Sequence, residues 1–153
     1  TGWRLGYLAA PKELCSALLK IHQYTIMCAP TCSQYAAIEA LKEGFKDNFS
    51  SVRAMNEEYD KRRRFLVSRL NEMGLKCFEP KGAFYAFPSV RATGLSGEEF
   101  SLKLLDKEKI AVVPGSAFGD SGKDFVRISY AYSMKAIDEA LNRIERFVAS
   151  IIK

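Results

Sequence analysis

The chain has 153 residues, 48% of them apolar, and carries 23 Lys and Arg against 18 Asp and Glu, for a formal net charge of +5. That length suits one domain with a real core, or a domain plus part of a second. No apolar run is long enough to cross a bilayer, and the first residues lack the charged-then-apolar order of a secretory leader, so we expect a cytoplasmic protein with no membrane partner.

Leu5 to Ala10 has the composition of a short strand, and Pro11 suits the first turn of a helix with Leu14, Leu18 and Ile21 on one face. After a loop around Cys28 to Pro30, a second helix carries Tyr35, Ile38 and Leu41, with Gly44 placed to end it as a left-handed cap. A longer helix runs from Ser50 or Ser51 to Met73, with Val52, Met55, Tyr59, Leu66, Leu70 and Met73 at heptad-like intervals, and stops at Gly74. Leu75 to Phe78 and Ala83 to Phe87 are predicted strands joined through Pro80 and Gly82. Ser96 and Glu99 form a capping box, with Leu95 and Phe100 spaced as a hydrophobic staple, so a helix begins there. Ile110 to Val113 and Phe125 to Ala131 are further strands. Ser133 caps a last helix with Met134, Ile137, Leu141, Ile144, Val148 and Ile151 inward. The alternation of strands and helices is that of an α/β or α+β protein, its second half a sheet covered by helices.

Several conventional chemistries are excluded. Lys61, Arg62, Arg63 and Arg64 are consecutive, but consecutive helical residues point around the circumference, and Glu57, Glu58 and Asp60 lie beside them. This is a solvated helix face, not a nucleic-acid stripe. The cysteines Cys15, Cys28, Cys32 and Cys77 lack paired spacing and His22 is the one histidine, which supports neither a zinc site nor a hydrolytic triad. Reduced structural thiols are expected. Gly119 to Asp124, "GDSGKD", fails as a phosphate loop because Ala117 stands where the first glycine is required and Asp124 replaces the magnesium-binding hydroxyl.

Two arginines stand out. Arg4 lies between Trp3 and Leu5, and Arg127 lies in "DFVRISYA", where alternation puts Val126, Ile128 and Tyr130 on one face and Phe125, Arg127 and Ser129 on the other. A buried unpaired charge is costly, so each arginine sits at an exposed edge or opposite an anion. Guanidinium suits carboxylate or phosphate because its planar donors grip in two places. Periodicity alone favours a structural ion pair at each position.

In order, "TGWRLGYLAAP", "PTCSQYAAIEAL", "PKGAFYAFP", "VVPGSAFG" and "FVRISYA" resemble the C-terminal part of an aspartate-aminotransferase-like enzyme. That is a pyridoxal-phosphate-dependent protein of fold type I, in aminotransferase class I/II. The resemblance implies that Arg4 binds the phosphate of pyridoxal 5'-phosphate and that Arg127 grips the α-carboxylate of the substrate. It implies amino-group transfer between an amino acid and a 2-oxo acid, and a homodimeric parent protein. It also implies three regions: residues 1–48 as the tail of the large cofactor-binding domain, 49–73 as the interdomain helix, and 74–153 as the C-terminal small domain. Domain closure would then bring the Arg127 clamp over the cofactor. In the family the Schiff-base lysine lies just upstream of the "TGWR" motif, so these residues are expected to be a piece of a larger enzyme that neither binds the cofactor nor turns over alone. The same anchors would serve a carbon–sulfur lyase, or the effector domain of an aminotransferase-like transcription regulator.

Overall fold

The computed structural model describes residues 2–152. Among them are five α-helices: α1 Lys12–Thr25, α2 Thr31–Asp47, α3 Ser50–Glu72, α4 Gly97–Glu108 and α5 Met134–Ala149. Three short strands, β1 Tyr85–Ala86, β2 Val113–Pro114 and β3 Val126–Ser129, form an antiparallel sheet with β3 in the middle, in the order β1-β3-β2. The chain divides into two compact units after Arg53, inside α3.

In the first unit both predicted helices form. The faces of Leu14, Leu18 and Ile21 and of Tyr35, Ile38 and Leu41 are nevertheless exposed. The strand expected over Leu5 to Ala10 is absent: the segment has no regular structure and Arg4 takes a positive φ of 51°. A strand exists only through a neighbour's hydrogen bonds, and no described residue pairs with this segment.

Gly44 does not cap α2 either. The helix runs three residues further, to Asp47, and Asn48 takes the left-handed position at φ 55°. Asn tolerates that conformation, which leaves Gly44 with a steric role. A Cβ on Gly44 would stand 2.3 Å from Cε1 of Phe49, whose ring packs edge-on against Phe45 at 5.3 Å.

The second unit holds the core. Leu66 and Leu70 of α3, Phe100 and Leu104 of α4, and Leu141, Ile144 and Phe147 of α5 are almost fully buried against Ala86, Val126 and Tyr130 of the sheet side. The Phe100 and Phe147 rings meet edge-to-face at 5.2 Å, the arrangement favoured by their quadrupoles. Outside the core, the Arg69 guanidinium ties α3 to α5 by donating to Asp138 at 3.2 Å, Asn142 at 2.8 Å and Glu145 at 3.0 Å.

Gly74 stops α3 with φ 81°, as expected. The segment expected as a strand over Leu75 to Phe78 keeps its alternation, with Leu75 and Cys77 buried and Lys76 and Phe78 exposed, but it joins no ladder. Its hydrogen bonds go elsewhere: the Cys77 N–H donates to the Asn71 side chain at 3.0 Å, and the Lys76 carbonyl accepts from Ser89 at 2.9 Å. The strands that form are shorter than predicted: Tyr85–Ala86 of the expected Ala83 to Phe87, Val126–Ser129 of the expected Phe125 to Ala131, and only Val113 of the expected Ile110 to Val113, continued by Pro114.

Ser96 caps α4 as predicted. Its hydroxyl accepts from the Glu99 N–H at 3.2 Å while its own N–H donates to the Glu99 carboxylate at 2.9 Å. That backbone bond, followed by the bond from the Ser96 hydroxyl, holds the Glu99 carboxyl below its ordinary range. Ser133 caps α5 likewise, accepting from Ala136 at 3.3 Å.

Two outcomes are expected. In the full-length protein Gly44→Ala meets the Phe49 ring, whereas in a Phe49→Ala background it stabilises by about 0.5–1 kcal/mol through helix propensity, a coupling read by chemical denaturation of the four variants. Ser96→Ala costs about 1 kcal/mol in the same measurement. Because the folded pKa of Glu99 is lowered, its contribution is present at neutral pH and fades as pH falls through that value. Glu99→Gln therefore flattens the acid limb of the stability profile.

Candidate anion site

β3 alternates as the sequence predicts. Val126 and, beyond the strand, Tyr130 are buried and Ile128 packs half-buried against the core, while Phe125, Arg127 and Ser129, also half-buried, occupy the alternate positions. Tyr130 secures this end of the sheet, its hydroxyl donating to the Ala83 carbonyl at 3.0 Å, and burial pushes that phenol up from its ordinary pKa.

Arg127 therefore projects from the central strand, opposite Val113 of β2. On the other side β1 pairs Tyr85 with Ser129 and Ala86 with Ile128, so the register carried one residue further sets Phe87 opposite Arg127. Among the described residues no carboxylate pairs with the Arg127 guanidinium and no side-chain hydrogen bond holds it. Two aromatic rings do. Its central carbon lies 4.4 Å from the Tyr85 ring centroid and 4.8 Å from that of Phe118. Such contacts are worth about 0.5–1 kcal/mol in water and about 2 when desolvated. They leave the charge uncancelled, and a guanidinium's N–H donors suit a carboxylate or phosphate.

Phe118 reaches Arg127 because the connection from β2 to β3 doubles back through two single turns of 3-10 helix, Gly115–Phe118 and Asp120–Gly122. The Gly115 N–H donates to the Phe125 carbonyl at 2.8 Å, and the Gly122 carbonyl lies 2.2 Å from where a Cβ on Gly115 would be. "VVPGSAFG" is therefore a tight connection, as the sequence suggests, and also a ring carrier. "PKGAFYAFP" is only partly core: Ala86 is fully buried, but Tyr85 and Phe87 alternate onto the Arg127 face and are each 36% exposed. Motif reading passed over Tyr85 and Phe118. The alternation of Tyr85 and Phe87, aligned antiparallel to that of Phe125 and Arg127, is the signal that would have placed the first.

Arg4 is exposed, and among the described residues it has no ion-pair partner. The run Lys61 to Arg64 is not uniformly solvated. Lys61 and Arg64 are exposed, but the Arg62 and Arg63 side chains are only 20% and 18% exposed. Arg62 pairs with Glu58 at 3.1 Å, and Arg63 with Asp60 at 2.6 Å and with Glu79. Four consecutive helical positions cover the circumference, so two of them turn inward. The Arg63 bond is the main reason the Asp60 carboxyl lies below its ordinary range. Since Arg62, Arg63 and Arg64 are already paired with acidic neighbours, Arg4 and Arg127 are the better candidates for an external anion.

The family description "Aminotransferase class I and II" matches residues 1–144. YugH of Bacillus subtilis (strain 168), which carries the name of an aminotransferase, is 53% identical over 148 residues, covering 97% of this chain and 37% of its own length. The aspartate aminotransferase of Pyrococcus abyssi (strain GE5 / Orsay) is 47% identical over 146 residues, 95% of this chain and 37% of that protein. Among solved structures, an aromatic aminotransferase from Pyrococcus horikoshii OT3 superposes with a TM-score of 0.84 at 47% identity, over 98% of this chain and 40% of that one. The chain thus spans well under half the length of these relatives.

Gly115→Ala tests the doubled-back loop. The clash is with backbone oxygen, which cannot swing aside as a side chain does, so the full-length protein should lose about 1–3 kcal/mol of stability in thermal or chemical unfolding.

Proposed function

The chain belongs to the aminotransferase class I and II family, and on that premise we propose that it is the C-terminal region of a pyridoxal-phosphate-dependent enzyme moving an amino group between an amino acid and a 2-oxo acid. Residues 1–48 belong on this reading to the large cofactor-binding domain, 49–73 to the interdomain helix, and 74–153 to the small domain. The exposed apolar faces of α1 and α2 then pack against the rest of the large domain, outside these 153 residues.

The observation that carries the reading is Arg127, an uncancelled guanidinium held between aromatic rings on the face of the sheet turned away from the core. Amino acids and 2-oxo acids share an α-carboxylate, so one bidentate donor serves both halves of a transamination. Arg4 fits the cofactor's phosphate for the same reason: it is exposed, planar in its donors and without an acidic partner among the described residues. Pyridoxal phosphate supplies an electron-withdrawing ring that draws off the charge left on the substrate's α-carbon. The protein's part in this region is binding and orientation. Arg127 fixes the carboxylate, which restricts rotation of the α-carbon and presents its amino group in one direction. The residues here hold no motif for the base that moves the α-proton, so we assign that step to the part of the protein upstream of Thr1 and regard the 153-residue piece alone as inactive.

In the full-length enzyme, Arg127→Ala should lower kcat/KM for amino acid and 2-oxo acid alike by about 2–5 kcal/mol of transition-state binding. Arg4→Ala should instead weaken retention of pyridoxal phosphate, measured by dialysis and absorbance. Unchanged steady-state constants in Arg127→Ala would remove the clamp.

A further inference from the structure

We propose that Tyr85 and Phe118 are positioning residues for Arg127, holding its guanidinium by its faces so that its charge and its donor edge stay available to the incoming carboxylate. The inference rests on the reading of Arg127 as the carboxylate-binding group.

A guanidinium at the centre of a small sheet has to be held still if it is to grip in two places. The usual device is a carboxylate, as Asp60 and Glu79 do for Arg63 and as Asp138 and Glu145 do for Arg69. At a binding site that device defeats itself, since the internal acid competes with the ligand for the same N–H groups. Arg127 is restrained differently. Tyr85 and Phe118 approach its central carbon at 4.4 and 4.8 Å, and no carboxylate pairs with it among the described residues. The two rings do not pack on each other. Each ring has an aromatic neighbour of its own: Tyr85 meets Phe84 at 4.8 Å with the rings tilted by 49°, and Phe118 meets Phe87 edge-on at 6.1 Å. Phe87 in turn stacks on Phe125 at 5.3 Å and 9°. The rings come from a strand and from the glycine-closed loop, so their positions are set by backbone contacts and not by Arg127 itself.

Both rings are substantially exposed, Tyr85 at 36% and Phe118 at 54%, so their replacement is compatible with folding. The test uses the full-length holoenzyme with L-aspartate and L-phenylalanine as amino donors and 2-oxoglutarate as acceptor, comparing Tyr85→Leu, Phe118→Leu and Arg127→Ala with the conservative Tyr85→Phe and Phe118→Tyr. A leucine variant should raise KM for donor and acceptor by about tenfold, the range of a lost cation–π contact, while kcat changes little. The aromatic replacements should restore KM. If Arg127→Ala raises KM but neither leucine variant does, the aromatic positioning is wrong and the clamp stands. If Arg127→Ala leaves KM unchanged, both fall. A Tyr85→Phe enzyme as impaired as Tyr85→Leu would assign the effect to the hydroxyl and overturn the proposal.

Discussion

A guanidinium keeps its charge at any pH a protein meets, and a strand in the middle of a sheet offers it no water on two sides. The second unit is organised around that constraint. β3 must bury Val126 and Tyr130 to close the core, and period-two geometry then obliges Arg127 to face the opposite way. What surrounds it on that face decides whether it is a strut or a receptor. Here the neighbours are rings and not acids, so the positive charge is restrained without being neutralised.

The neighbours depend on two unrelated features of the chain. Tyr85 arrives through strand register, since its partner is Ser129 on the same face as Arg127. Phe118 arrives through a loop that can fold back only because Gly115 and Gly122 let two backbones approach more closely than a Cβ permits. The core on the other side of the sheet, with α3 tied to α5 through Arg69 and with Phe100 and Phe147 in edge-to-face contact, is the rigid support for both. The placement of the Arg127 guanidinium is thus inherited from packing elsewhere in the unit.

The first unit is governed by a different balance. α1 and α2 form because their residues suit helices, yet their apolar stripes meet little that covers them, and Leu5 to Ala10 finds no strand to pair with. Helices close their own hydrogen bonds and so survive the absence of neighbours, whereas a strand is defined by them. This is why the helices expected in that unit form and the strand expected over Leu5 to Ala10 does not.

Local rules were enough for the features whose partners lie within a few residues: the capping box at Ser96, the cap at Ser133, the stop at Gly74, and the two faces of β3. Motif resemblance points to Arg4 and Arg127, each of which lies in a short contiguous string. Tertiary structure decided the rest. It assigned Gly44 to accommodating Phe49 and left the cap to Asn48, sent the backbone of Leu75 to Phe78 to the Asn71 side chain and to isolated backbone partners and not to a ladder, and set Tyr85 and Phe118 beside Arg127. Each of those outcomes depends on groups brought together by folding, and spacing along a chain carries no record of which distant ring or carbonyl will arrive.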